Sequence, residues 1–188
     1  KKSGKLDRLR ESLIKSLPNG TLGIGHTRWA THGEPNEMNA HPHTDCTGQI
    51  VTVHNGIVEN YLDLKTNLVE QGHTFESETD SEVIPHLIES LIKTGLTLEE
   101  ATRRAATSLM GSHAVVVIDS NYPNIIVAFR VGHAGGLVIG NADEETFVAS
   151  DLPAIIPHTQ TVTSLAAGEV ALITPGFASY SDFDGLPV

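Results

Sequence analysis

The stretch HAVVVIDSNYPNIIVAFR, residues 113–130, decides the fold class. It contains two apolar runs separated by the turn-forming pair Pro123-Asn124, with no helical pattern between them. Strands that follow one another without intervening helices predict an antiparallel sheet. Apolar residues at nearly every position of AVVVI indicate a sheet covered on both faces, and therefore two sheets with helices outside. Further strands are predicted at GLVIGN (136–141), TFVAS (146–150), TVTSL (161–165) and GEVALITP (168–175).

The first 112 residues combine helices with two strands and a long polar loop. Helices are predicted from Leu6 to Pro18, over 61–72 and 77–95, and from Thr97 to about Leu109. Two Thr-x-x-Glu sequences predict capping boxes at helix starts, Thr79 to Glu82 and Thr97 to Glu100. Strands are predicted at TLGIGHTR (21–28) and QIVTVHNG (49–56). The carboxyl end, SYSDFDGLPV, shows no periodic pattern and predicts no element.

Composition excludes several classes of protein. The chain has 188 residues, 39% hydrophobic and 19% charged, which suits one packed α/β domain. A net charge of −11 argues against nucleic-acid binding. No apolar run is long enough to span a bilayer, and the single cysteine fits a reducing cytoplasm.

The loop HTRWATHGEPNEMNAHPH, residues 26–43, concentrates histidines and raises the question of a metal. His26, His32, His41 and His43 match no zinc-ligand spacing, so we predict neither a metal nor another cofactor. Cys46 lies in a polar turn without the surroundings of a nucleophile, and we do not expect it to be catalytic.

Three further features admit both a structural and a functional interpretation. Asn55-Gly56 is a hairpin signal, but a hairpin needs a second strand, and the pattern that follows is helical. The alternative is that the Asn55 amide and the Gly56 N–H form an oxyanion hole at the end of a strand. Asp80 could stabilise a helix dipole or bind an ammonium group. Arg28 suits bidentate carboxylate binding, and the adjacent Trp29 is typical of a packing residue.

Together, GIGHTRWATHGEPNEMNAHPH, VHNGIVEN and SETDSEVI closely resemble the glutaminase domain of the glutamine–fructose-6-phosphate aminotransferase family. The resemblance extends over nearly the whole chain, and other class II glutamine amidotransferases carry looser versions of these segments. It implies an α+β fold of the N-terminal-nucleophile hydrolase type, an αββα sandwich with two antiparallel sheets between helical layers. The implied reaction is hydrolysis of glutamine to glutamate and ammonia. The ammonia would then be used to convert fructose 6-phosphate to glucosamine 6-phosphate.

The same resemblance implies a role for each candidate residue. Arg28 would bind the α-carboxylate of glutamine, with Thr31 and His32 in the same pocket. Asp80 would bind the α-amino group. Asn55 and Gly56 would form the oxyanion hole, and Gly56 would also contact glutamine through its main chain. His41 would support the site, and Trp29 would lie beside the route of ammonia.

One departure from the family is important. The family's nucleophile is an amino-terminal cysteine, whereas residue 1 here is Lys1, so we expect a domain truncated at its amino end (residues 1–180) and inactive alone. Residues 181–188 would begin a linker to a sugar-phosphate isomerase domain, and the full-length form would be a cytoplasmic homodimer. A noncatalytic amino-acid-binding module and another class II amidotransferase remain the alternatives.

Overall fold

A computed structural model describes residues 1–15, 19–29 and 32–188. It contains four α-helices within these ranges: α1 (Leu6–Lys15), α2 (Tyr61–Glu70), α3 (Val83–Ile92) and α4 (Leu98–Ser108). The strands are β1 (His43–Thr44), β2 (Ile50–Gly56), β3 (His113–Asp119), β4 (Ile126–Val131), β5 (Val138–Asn141), β6 (Thr146–Ala149), β7 (Val162–Ser164), β8 (Glu169–Thr174) and β9 (Phe177–Asp182).

All of these strands pair antiparallel, as the sequence predicts. One sheet has six strands in the order β1-β2-β3-β4-β8-β9, and a second has three in the order β6-β5-β7. The register of β2 on β3 places Asn55 opposite Ala114 and Gly56 opposite His113. The end of β2 therefore lies beside the first residue of β3, and this edge of the larger sheet forms one wall of the site described below.

Both faces of the larger sheet are buried, which confirms the prediction made from AVVVI. Val115 and Val117 pack in a core shared with the helices α2, α3 and α4. The alternate residues Ala114 and Val116 pack in a second core that includes Ile139 of the smaller sheet. The layers are therefore helices, larger sheet and smaller sheet, three layers of the expected αββα sandwich, and the predicted α+β class is confirmed.

Helix α1 differs from the others because none of its residues is buried. Its apolar residues Leu6 and Ile14 are 64% and 76% exposed. The predicted end of this helix, Leu17 and Pro18, lies outside the described residues. Within the described ranges, no helix is long and apolar enough to cross a bilayer.

Three predictions about elements were wrong. Residues 21–28 form no strand: half-buried and exposed positions alternate there as in a strand, and Ile24 contacts the core between the sheets, but no described strand pairs with this segment. The carboxyl end contains β9, and Ser181 also forms a bridge with Pro187. The linker start predicted at residue 181 therefore falls inside a strand.

The third error is the capping box predicted at Thr79. Its hydroxyl contacts Ser77 Oγ and His43 Nε2 instead of capping, and the chain first forms a short 3-10 helix, Asp80–Glu82. Glu82 accepts hydrogen bonds from the backbone N–H groups of Glu76 (2.8 Å) and Ser77 (2.7 Å). These bonds fix the turn that precedes Asp80, so the glutamate stabilises the loop and not the helix end.

Candidate functional site

The candidate site is a cleft of about 430 Å³ at the end of β2. The polar loop 26–41, the end of β2 and the turn before α3 form its walls. Eight of the residues singled out from the sequence line it: His26, Arg28, Trp29, His32, His41, Asn55, Gly56 and Asp80. Thr31 lies outside the described residues.

Asp80 is an anion held at the base of the cleft. It is only 2% exposed, and its Oδ2 accepts a hydrogen bond of 2.7 Å from the backbone N–H of Val58. The second oxygen, Oδ1, lies 3.8 Å from His32 Nδ1. Oδ2 thus connects the turn before α3 to the segment after β2. Oδ1 and His32 Nδ1 are too far apart to bond directly, so Oδ1 can accept a hydrogen bond from a cationic group in the cleft.

Arg28 is a cation fixed by its own loop. Its guanidinium donates to the carbonyls of Glu34 (2.9 Å), Gly33 (3.2 Å) and His32. Carbonyl oxygens hold the group in place without neutralising its charge. The cleft therefore carries a positive group from the loop and a negative group from the turn before α3.

The end of β2 supplies a side-chain amide and a glycine. Asn55 Oδ1 accepts a hydrogen bond of 2.8 Å from His26 Nε2, which orients the amide and makes Nδ2 its donor end. Gly56 has a φ of +139°, and a Cβ there would lie 2.2 Å from Ser112 O. Only glycine fits this position, because both its backbone angle and the space beside it exclude a side chain.

A chain of hydrogen bonds runs behind the cleft, and its direction can be derived. Met110 O can only accept, so His113 Nε2 donates to it at 3.1 Å. In the neutral ring Nδ1 is then an acceptor, and His54 Nε2 donates to it at 3.1 Å. His54 Nδ1 accepts in turn from Ser81 Oγ at 2.8 Å.

Three histidines in and beside the cleft, His41, His43 and His54, are neutral at physiological pH. Burial, reinforced by His113, lowers the pKa of His54 to about 3. Burial and then the nearby His26 lower the pKa of His41 to about 2, and burial and Lys1 lower that of His43 to about 4. His41 stacks on His26 with ring centroids 4.1 Å apart. His41 is thus a packed, neutral ring in the wall of the cleft, which suits the expectation that it supports the site.

Two other residues differ in their surroundings. Trp29 lines the cleft but is 90% exposed, so it is not the packing residue that its type suggests. Cys46 contacts His73 and His86 and is not among the residues that line the cleft.

Sequence reasoning missed the supporting residues of the cleft. His54 and Ser81 adjoin the residues singled out from VHNG and SETDSEVI, so those two segments carried a signal for them. His113 had none, because only the register of β2 on β3 brings it to His54. Together the cleft offers a cation, an anion and an amide donor, the requirements of a zwitterionic ligand that carries a polar side chain.

Comparison with known proteins shows which proteins the chain resembles. The family model described as a glutamine amidotransferase domain matches residues 26–157. Glutamine–fructose-6-phosphate aminotransferase (isomerizing) of Methanothermobacter thermautotrophicus is 48% identical over 186 residues, 98% of this chain and 31% of that protein. A Thermus thermophilus protein of the same name is 46% identical over 188 residues, 100% of this chain and 30% of that protein. The chain thus spans about a third of the length of these relatives.

Solved structures show the same fold. Glutamine phosphoribosylpyrophosphate amidotransferase from B. subtilis matches with a TM-score of 0.68 at 25% identity. The match covers 84% of this chain and 34% of the B. subtilis chain. A glutamine aminotransferase class-II domain protein from Silicibacter pomeroyi has a TM-score of 0.55 at 19% identity, over 79% of this chain and 72% of its own.

Proposed function

Because the chain belongs to the family of glutamine amidotransferase domains, we propose that its cleft binds glutamine and holds the side-chain amide for hydrolysis. The observation that carries the proposal is the presence of Arg28, Asp80, Asn55 and Gly56 around one cleft of about 430 Å³. An amino acid is zwitterionic, so its pocket needs one fixed cation and one fixed anion, and the cleft has both.

We assign the α-carboxylate of glutamine to Arg28, whose guanidinium keeps its charge while carbonyls position it. The α-ammonium is assigned to Asp80 Oδ1, the carboxylate oxygen nearest to His32. Thr31 and His32 would line the same part of the pocket. This orientation directs the side-chain amide toward the end of β2.

Asn55 and Gly56 would stabilise the oxyanion that forms when the amide carbon is attacked. A preorganised donor at this position matters because an amide is a poor electrophile. Asn55 is preorganised by its bond to His26. The attacking thiol is not assigned to Cys46, which contacts His73 and His86; in the family that the sequence resembles, an amino-terminal cysteine supplies it.

For the whole protein we propose the activity that the relatives' name describes. Ammonia released here would convert fructose 6-phosphate to glucosamine 6-phosphate in a further domain of a homodimer. Trp29, exposed at the rim of the cleft, would lie beside the route by which ammonia leaves.

The binding assignment is tested by titrating purified protein with glutamine in a calorimeter. Asp80→Asn keeps the oxygen that accepts from Val58 but removes the charge, and we expect glutamine affinity to fall about 10- to 100-fold, the range for loss of a charged hydrogen-bond partner. Arg28→Lys keeps the charge but loses the fork, and a smaller loss is expected. His158→Gln, at an exposed position away from the cleft, is the matched control. Unchanged affinity in Asp80→Asn would contradict the assignment.

The catalytic assignment is tested in protein expressed from the complete coding sequence. Glutamate release and glucosamine 6-phosphate formation are measured with glutamine and fructose 6-phosphate as substrates. Asn55→Ala should lower kcat for glutamate release about 100- to 1000-fold, as loss of one oxyanion donor does, and should change KM far less. Glutamine binding without glutamate release in the complete protein would favour a noncatalytic binding module instead.

A further inference from the structure

A second cluster of polar side chains lies apart from the cleft and is not used by the proposed function. Cys46 in the turn between β1 and β2, His73 in the loop after α2, and His86 and Glu89 one turn apart on α3 converge on one point. Their ligating atoms all lie within 4.8 Å of one another. The three residues other than Cys46 are at most 5% exposed.

Five of the six distances between these atoms lie close to those of a tetrahedron around a zinc ion, and the sixth, from Cys46 Sγ to Glu89 Oε2, is at most 4.8 Å. Cys46 Sγ lies 3.6 Å from His73 Nδ1 and 3.4 Å from His86 Nδ1. The two Nδ1 atoms are 3.3 Å apart, and Glu89 Oε2 lies 3.1 Å from that of His73 and 3.6 Å from that of His86. Zinc bonds of about 2.0–2.1 Å to nitrogen or oxygen and about 2.3 Å to sulfur place tetrahedral ligands roughly 3.3–3.6 Å apart.

The chemistry of the donors favours zinc over Mg²⁺ and Ca²⁺. A thiolate, two imidazoles and a carboxylate are ligands that Zn²⁺ accepts, whereas Mg²⁺ and Ca²⁺ require oxygen ligands throughout. Cys46 is exposed and the other three ligands are buried, so the ion would lie near the surface. The thiolate and the carboxylate would together balance the charge of a divalent ion there. Four protein ligands complete a tetrahedron, which is the arrangement of a structural site and not of a catalytic one.

The surroundings support the ligands in the way that metal sites require. The backbone N–H of Thr74 points at Cys46 Sγ from 3.5 Å, and Lys93 Nζ lies 2.7 Å from the other oxygen of Glu89. The far nitrogen of His86, Nε2, is 3.6 Å from Glu82 Oε1 and has no hydrogen-bond partner among the described residues. Contacts such as those of Thr74 and Lys93 orient ligands and tune their basicity, whereas Glu82 lies near His86 Nε2 without a hydrogen bond to it.

We propose that Cys46, His73, His86 and Glu89 form a structural site for one Zn²⁺ ion. On binding, the Cys46 thiol releases its proton to water and a sulfur–zinc bond forms. The ion would join the β1–β2 turn, the loop after α2 and helix α3. This site stands independently of glutamine binding, because none of its ligands lines the cleft.

The first experiment needs no variant. Protein purified without metal-affinity resin is dialysed against metal-free buffer, and its zinc is measured by mass spectrometry; one equivalent per chain is expected. Protein stripped by a chelator is then titrated with Co²⁺, and a thiolate-to-cobalt absorption band should appear and saturate at one equivalent. A zinc-free protein that gives no such band would overturn the proposal, whether or not it binds glutamine.

Variants then identify the ligands. Cys46→Ser should abolish the thiolate-to-cobalt band and lower zinc affinity by on the order of 100-fold or more, beyond the 10- to 100-fold typical of losing an outer partner. His158→Gln is the control, since it removes a histidine outside the cluster. Circular dichroism of Cys46→Ser checks that the fold is retained. A folded Cys46→Ser protein with wild-type zinc affinity would show that the four residues are not the ligands.

Discussion

At the scale of single residues, the end of β2 has a position where only glycine fits. Gly56 has a φ of +139°, and Ser112 O occupies the space where a Cβ would lie. Gly48, in the turn before β2, also has a positive φ, of +71°, but nothing lies within 4 Å of its Cβ position. Gly48 is thus close to the left-handed region that other residues can reach, whereas Gly56 combines a φ far from that region with a steric clash.

Gly56→Ala should consequently lower the free energy of unfolding more than Gly48→Ala does. For Gly48→Ala we expect the left-handed backbone penalty alone, about 1–2 kcal/mol. Gly56→Ala adds displacement of the Ser112 backbone, and a further cost of about 1–3 kcal/mol is expected. Urea unfolding of the two variants measures this, and equal losses would show that neither the φ of Gly56 nor the Ser112 backbone adds a penalty.

The buried histidines make stability depend on pH. The pKa of His54 is lowered to about 3 and that of His43 to about 4 by burial, against an ordinary value near 6.5 in the unfolded chain. Their contribution is complete above pH 6.5 and is lost as the pH falls toward 4, because only the unfolded state takes up the protons.

His41, with a pKa of about 2, behaves in the same way. Unfolding at pH 5.5 should therefore bind more protons than unfolding at pH 7.5, by about 0.8 proton for each of His41, His43 and His54. The free energy of unfolding should be lower at pH 5.5 by about 1 kcal/mol per histidine. Calorimetry in buffers of different ionisation enthalpy measures the uptake. No uptake at pH 5.5 would mean that these rings are already charged in the folded protein.

At the scale of elements, two similar sequences behave differently. Thr97 and Glu100 form a complete capping box at the start of α4, with Thr97 Oγ1 accepting from the backbone N–H of Glu100. Thr79 and Glu82 have the same spacing, but Glu82 binds the N–H groups before the helix. Local sequence predicted the first correctly; the second depends on how the chain enters α3, which the pattern does not contain.

Thr97→Ala should lower the free energy of unfolding by about 1 kcal/mol, the usual cost of losing an N-cap side chain. Thr66→Ala is the matched control, because Thr66 lies within α2 and its hydroxyl bonds only to Leu62 O one turn before. That change should be neutral or slightly stabilising, since alanine has the higher helix propensity. Equal effects of the two substitutions would contradict a capping role for Thr97.

At the scale of the whole molecule, sequence patterns predicted the inner strands of both sheets better than the edge strand β9 of the larger sheet. The antiparallel arrangement followed from apolar runs without helices between them, but β9 was missed because FASYSD is mostly polar and half-buried. The candidate residues of the cleft could be chosen from contiguous segments, and their roles remain predictions. The cluster around Cys46 could not be found in this way, because its members are separated in sequence and match no ligand spacing.

Removing residues 177–188 tests the importance of the missed strand. β9 pairs along the whole of β8, and Phe183 and Tyr180 pack against the two cores. Without β9, β8 becomes an exposed edge, so we expect a lower thermal midpoint and aggregation during heating. Light scattering measures the aggregation. Leu186→Ala, at a side chain that is 63% exposed, should leave both unchanged. A truncated protein as stable as the complete chain would show that β8 tolerates an open edge.

The hydrogen bonds that run from Met110 through His113 and His54 also fix the direction of the Ser81 hydroxyl hydrogen, which points to His54. Because that hydrogen is donated to His54, Ser81 Oγ can offer only lone pairs to the cleft that it lines. Together with the carboxylate of Asp80, it makes this end of the cleft a place that accepts hydrogen bonds. A ligand bearing an ammonium group, with three hydrogens to give, satisfies such a place, whereas the corresponding hydroxy acid has one and a keto acid has none. The protonation state of two buried rings can thus act as a filter between amino acids and their deaminated analogues.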